Sequence, residues 1–262
     1  MNLESILKRD RWVSMGGLAL IAALAWGYLL SGTGMDMSAL EMTHMTSDEG
    51  MDRGSTTWTL SYALLMFFMW WIMMVAMMLP SATPTILLAM ALNRKAHPDR
   101  RPYGASGFFA AGYLISWAGF SLVAVAGQWG LAESGLLSST MQITTPALAG
   151  AFLITAGLWQ LTPIKRACLR HCRSSVRFLT QRRRKGDAGS LVMGMEHGAY
   201  CLGCCWFLMA LLFVGGIMNL YWIMGLTIYV LSEKVLPAGQ RIGQIAGVGL
   251  VLWGLALLGG LI

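Results

Sequence analysis

The residues most able to do chemistry in this 262-residue chain are His197, Cys201, Cys204 and Cys205. They recur at i, i+4, i+7 and i+8, so a helix presents one imidazole and up to three sulfurs on a single face. Imidazole and thiolate are ligands for Cu(I) or zinc. Glu196 and His197 fall near the expected membrane boundary, where ionisable side chains are costly unless they face protein or water, and it joins the candidate ligand set. A straight helix cannot surround an ion, so a second helix must complete the shell. Met74, Met77 and Met78, just before Pro80, are the expected partners. The plainer alternative is that Gly198, Gly203 and the cysteines are small residues for tight helix contact, with His197 bonded to a neighbour.

Two other clusters carry soft donors. Between Gly34 and Asp52 a polar stretch holds five methionines, one histidine and five acids. Met35, Met37, Met42, His44 and Met45 form an expected copper-capture loop, because thioethers are soft, flexible donors and have no solubility reason to sit in a polar segment. An acidic linker with incidental methionines is the alternative. Further on, Met66, Met69, Met73 and Met77 share a helical face beside Met74 and Met78, a stripe that lines a soft-metal path or simply packs. Cys168, His171 and Cys172 form a weaker Cys-x-x-His-Cys group, either a transfer site or free thiols. No disulfide framework is implied by the five cysteines.

These groups need a membrane scaffold. Hydrophobic residues are 56% and charged residues 12% of the chain, against about 25% charged in an ordinary soluble domain. The expectation is an all-α polytopic transmembrane bundle of about seven spans, forming one membrane domain over residues 1–262. The spans are placed at 12–31, 58–92, 105–127, 145–163, 198–217, 219–236 and 242–262. The second run, as one helix, would measure roughly 50 Å against a hydrocarbon core of about 30 Å, so it is expected to be kinked, tilted or broken near Pro80 and Pro84. Residues 32–57 form the outer Met/His/acidic loop, and 164–189 a basic cytoplasmic loop whose nine Lys and Arg lie against anionic headgroups.

On this topology every Lys and Arg except Arg53 faces the cytoplasm, including those before the first span, which sets the N-terminus inside. The net charge of +7 is therefore explained without nucleic acid. The first helix is read as an uncleaved anchor, with a signal peptide cut near Ala23 and Ala25 as the competing reading. A turn is expected near Gly215, Gly216 and Asn219, and close helix packing at Gly243, Gly247 and Gly254.

Met77-Met78-Leu79-Pro80-Ser81-Ala82 with Pro84, the run from His197 through Cys205 to Trp206, Gly215 through Leu220, and Glu233-Lys234 together resemble a bacterial family of predicted metal-binding integral membrane proteins, domain of unknown function 2182. The resemblance spans about residues 60–236 and implies a polytopic membrane protein with a metal site, without naming a reaction. The expected function is transition-metal capture, transport or delivery in the bacterial inner membrane. Copper, as Cu(I), is the first choice of ion, with zinc or another transition metal as the alternative. The partners are the lipid bilayer, the ion, and a membrane metalloenzyme or metallochaperone. No ATP-driving motif is evident. The other expectations are a metal-dependent or thiol–disulfide oxidoreductase and a metal-free structural assembly partner.

Overall fold

The computed structural model describes residues 3–32, 40, 43, 58–96, 102–138, 140–174, 179–180, 184 and 186–261. Met35, Met37, Met42, His44 and Met45 lie outside the described residues. All extended elements among these residues are helices: α1 (Leu3–Leu30), α2 (Leu60–Ala96), α3 (Pro102–Glu133), α4 (Pro146–Leu161), α5 (Pro163–Arg173), α6 (Gly186–Ala210), α7 (Leu212–Gly215), α8 (Leu220–Val235) and α9 (Gly239–Leu258). Among the described residues, five segments are long and apolar enough to cross a membrane: Arg9–Leu30, Leu60–Arg94, Ser106–Glu133, Gly186–Gly215 and Gly239–Leu258. A sixth arises if α4 and α5, bent by 64° at Thr162, count as one broken span. The expected sixth span, α8, is 16 residues, roughly 24 Å of helix, short of the ~30 Å core.

The centre of the fold is α2. It continues through both prolines as a 37-residue helix, so the expected distortion does not end it. Proline at these positions removes the amide donors to the carbonyls of Ala76 and Pro80. Hydroxyls add donors to this stretch: Ser81 Oγ to the Met78 carbonyl at 2.8 Å and Thr83 Oγ1 to that of Leu79 at 3.0 Å. The middle of α2 is enclosed, with Met66, Met69, Trp70 and every residue from Met73 to Leu79 buried, as expected of a helix apolar on all sides at the core. Helix α1 packs along it; Asp10 pairs with Arg94 at 3.5 Å and Ser14 Oγ donates to Met90 Sδ at 2.9 Å.

Glycine sets the other interfaces. A side chain on Gly112 would strike the Leu191 carbonyl, and one on Gly194 the Phe109 carbonyl, so α3 and α6 approach backbone to backbone. Helices α4 and α9 meet similarly, with a Cβ on Gly157 falling 2.6 Å from the Gly247 carbonyl and one on Gly254 falling 2.8 Å from that of Gly150. This is the close packing expected of Gly247 and Gly254. After α7 the chain turns at Gly216, whose φ of 93° suits glycine. The Asn219 side chain then caps α8 by accepting from the amides of Tyr221 and Trp222.

The start of the basic segment 164–189 is helical rather than loop. Pro163 at the first helical position and Thr162, which accepts from the Lys165 amide, start α5. The bend folds α5 back onto α6 and α8, and Lys165, expected at the headgroups, is buried in an ion pair with Glu233. Tyr229 Oη also donates to that carboxylate at 3.0 Å. Gly243 makes room for the pair, since a Cβ there would meet Glu233 Oε1 and Lys165 Nζ. Arg173 closes the other end of α5 through the Leu236 and Pro237 carbonyls at 2.7 and 3.1 Å.

Candidate metal centre

The back-folded α5 brings the two cysteine groups of the sequence together. Cys201, Cys204 and Cys205 lie on the buried face of α6. From α5, Cys172 Sγ reaches Cys201 and Cys204, and Cys205 Sγ contacts the same two. Cys168 approaches Gly203 so closely that a Cβ there would sit 2.8 Å from its sulfur. Beside it, His171 stacks on Tyr200 with ring centroids 3.7 Å apart. All five cysteines thus gather along the α5–α6 interface, and all five are free thiols.

Cys201 is the hub. Lys234 of α8 donates to its sulfur at 3.0 Å and to Ser81 Oγ of α2 at 2.9 Å. Tyr113 Oη of α3 lies 3.2 Å from the same sulfur and donates to the Met78 carbonyl at 3.2 Å. Groups from α3, α5 and α8 therefore meet at one sulfur of α6, and the Pro80 region of α2 joins them through Ser81 and the Met78 carbonyl. The thiols of Cys204 and Cys205 donate to the Cys201 carbonyl at 3.0 and 2.9 Å, the local back-bonding open to polar side chains in a helix.

The remaining expected ligands separate into three groups. His197 is 3% exposed, and its ring packs between Phe109 and Tyr113 at centroid distances of 5.9 and 5.8 Å, one turn before Cys201. Glu196 turns to the other side of α6 and accepts from Arg184 Nη2 at 2.9 Å, away from the sulfurs. Met74, Met77 and Met78 are buried in the core of α2, and Met78 meets the cluster through its backbone carbonyl. Among the described residues, no three His, Cys, Asp or Glu side chains stand in the geometry of a closed ion cage. The donor chemistry nevertheless fits a soft monovalent ion, which accepts as few as two sulfurs and prefers thiolate to oxygen.

Three participants escaped sequence reasoning. Lys234 enters the sequence reading only as part of the Glu233-Lys234 pair that carries the family resemblance and is absent from the expected ligand set, although a lysine inside an apolar stretch is itself a functional signal. Cys172 was singled out but placed in a separate loop. Tyr113 carries no local signal, because its approach to Cys201 depends on the backbone contact at Gly112, Gly194 and Gly198.

No curated protein and no solved structure matches this chain. Residues 67–257 match the PpoB2 family, described as a copper chaperone, and that range contains the thiol cluster and every residue that meets it. A metal-related family was expected from the motifs, and with most of the chain matched, this protein belongs to the PpoB2 copper chaperone family.

Proposed function

We propose that this chain is an integral membrane copper chaperone whose cargo, Cu(I), is held by sulfurs of the cluster around Cys201 and passed to a membrane metalloenzyme. The observation that carries the reading is the convergence of Cys172, Cys201, Cys204 and Cys205 inside the bundle, with Lys234 at the hub sulfur. Each thiol that ligates gives up its proton. Two thiolates on one Cu(I) leave a net negative site, and the Lys234 ammonium is placed to balance it. His197 borders this site and Met74, Met77 and Met78 lie along α2, while Glu196 serves the Arg184 contact instead. In this reading the outer segment with Met35, Met37, Met42, His44 and Met45 collects the ion. The N-terminus and the α5 end face the cytoplasm of a bacterium, with the protein in its inner membrane.

Elemental analysis of detergent-purified protein tests this. Copper should co-purify at close to stoichiometric amount and be lost when Cys201, Cys204 and Cys205 are all replaced by serine. Unchanged copper in that variant would remove the reading. Thiol–disulfide exchange is a second reading, favoured by the contact of Lys234 with one sulfur among several neighbouring thiols. It requires that metal-free protein form a disulfide at a reproducible potential.

A further inference from the structure

Away from the thiols, α2 meets a second set of soft donors. Gln128 of α3 is 2% exposed and spans the gap between α2 and the 134–145 loop. Its Oε1 accepts from Trp70 Nε1 at 2.8 Å. Because an indole N–H is only a donor, this bond fixes the amide orientation and turns Nε2 the other way. Nε2 then donates to two thioethers, Met66 Sδ at 3.4 Å and Met141 Sδ at 3.3 Å. Both sulfurs thus accept from one buried amide nitrogen. Met66 is fully buried and Met141 is 9% exposed.

Met141 is held there at a backbone cost. Its φ is 59°, in the left-handed region that disfavours a bulky L side chain. The loop is tied in that shape by the Met141 amide bonding to the Ser138 carbonyl at 2.9 Å and the Ile143 amide bonding to that of Phe213 at 2.8 Å. Strain of this kind persists where surrounding structure enforces it, and it concentrates at ligand sites. The α7–α8 turn adjoins this end, and there the Leu220 amide donates to Thr43, the residue between Met42 and His44 in the methionine-rich segment.

We propose that Met66 and Met141 form a second Cu(I) site, an entry station for the soft monovalent cation that the thiol cluster receives. The inference rests on the copper reading above and adds a location to it. The ion takes the place of the Gln128 amide at the focus of the two thioethers, and the amide swings aside on its Trp70 bond. Both sulfur ligands are neutral, so the positive charge is left uncompensated and the site is weak, as suits a station the ion must leave. From Met66 to Met78 is about 18 Å along the helix, and Met69, Met73 and Met77 lie between them at helical spacing, all buried.

The test is anaerobic titration of full-length protein in detergent with Cu(I) held by a competing chelator, followed by X-ray absorption of the bound ion. A serine variant at Cys172, Cys201, Cys204 and Cys205, in which Met35, Met37, Met42 and Met45 are also leucine and His44 alanine so that the outer segment holds no ion, should retain one weakly held Cu(I) with a thioether sulfur shell. Adding Met66→Leu and Met141→Leu should abolish that binding, while adding Met224→Leu, on an exposed face, should not. In the otherwise native chain, the Met66 and Met141 double variant should load the thiol cluster at least about tenfold more slowly while reaching the same final affinity there. Should the serine variant fail to fold, the loading rate alone decides. A serine variant that folds but binds no Cu(I), or loading unchanged by the two leucines, overturns this inference and leaves the thiol reading standing. Absence of Cu(I) from the native chain overturns both.

Discussion

Helix α2 meets soft donors in two places, and the two differ in charge. Around Met66 the groups are neutral: two thioethers and an amide, in an apolar setting with Trp70 and Phe213. Around Ser81 they are ionisable: the hub thiol, its neighbouring thiols, a lysine and a tyrosine. The contrast teaches that one helix can carry a gradient of affinity. Thioethers hold a monovalent ion without a counter-charge, whereas thiols become anionic on binding and hold it far more tightly. The lysine belongs at the second place for the same electrostatic reason that it would be harmful at the first.

The largest expected effect breaks the strong end. Cys201→Ser removes the sulfur contacted by Lys234, Tyr113 and three other thiols, and Cu(I) affinity should fall at least about 100-fold in a chelator competition. If Cys204 or Cys205 could substitute fully for it, affinity would not change and the hub assignment would fail.

A smaller effect sharpens the role of charge. Lys234→Met removes the ammonium that balances the thiolates, so affinity at neutral pH should fall about tenfold. Protons compete with Cu(I) for each thiol, and binding should therefore weaken as pH falls in both proteins. Without the ammonium the weakening should begin at higher pH, because nothing favours the anionic, metal-bound form over the protonated one. Titrations of the two proteins at several pH values check this; parallel curves would show that Lys234 plays no part in balancing the site.

The smallest effect is a control at neither place. Gln160 is 2% exposed on α4, and neither amide atom has a hydrogen-bond partner among the described residues. Gln160→Leu should leave Cu(I) binding intact and raise stability by ~1 kcal/mol, read as a higher unfolding temperature in detergent. A loss of binding would mean that the α4–α9 interface is coupled to the cluster.

Much of this arrangement was legible in the sequence where a single helix carries the information. The face shared by His197, Cys201, Cys204 and Cys205 follows from spacing, and all four are buried on α6. Glu196 shows the limit of that reasoning, since the residue next to a buried one lies about a third of a turn around the helix and here reaches Arg184. Relations between helices were less visible. The 64° bend at Thr162 turns Cys172 from a loop residue into a neighbour of Cys201, and dense basic residues had disguised α5 as loop. Tyr113 reaches the hub only because Gly112 and Gly194 let two backbones touch, a pairing that neither helix announces alone.

The central claim is that the sulfurs around Cys201 hold Cu(I), and the most direct measurement is copper X-ray absorption on the loaded native chain and on the Cys201, Cys204 and Cys205 serine variant. We expect the native spectrum to show a shell of short thiolate-sulfur bonds that vanishes in the variant. A nitrogen or oxygen shell in the native chain, or a thiolate shell that survives the substitutions, would contradict the account.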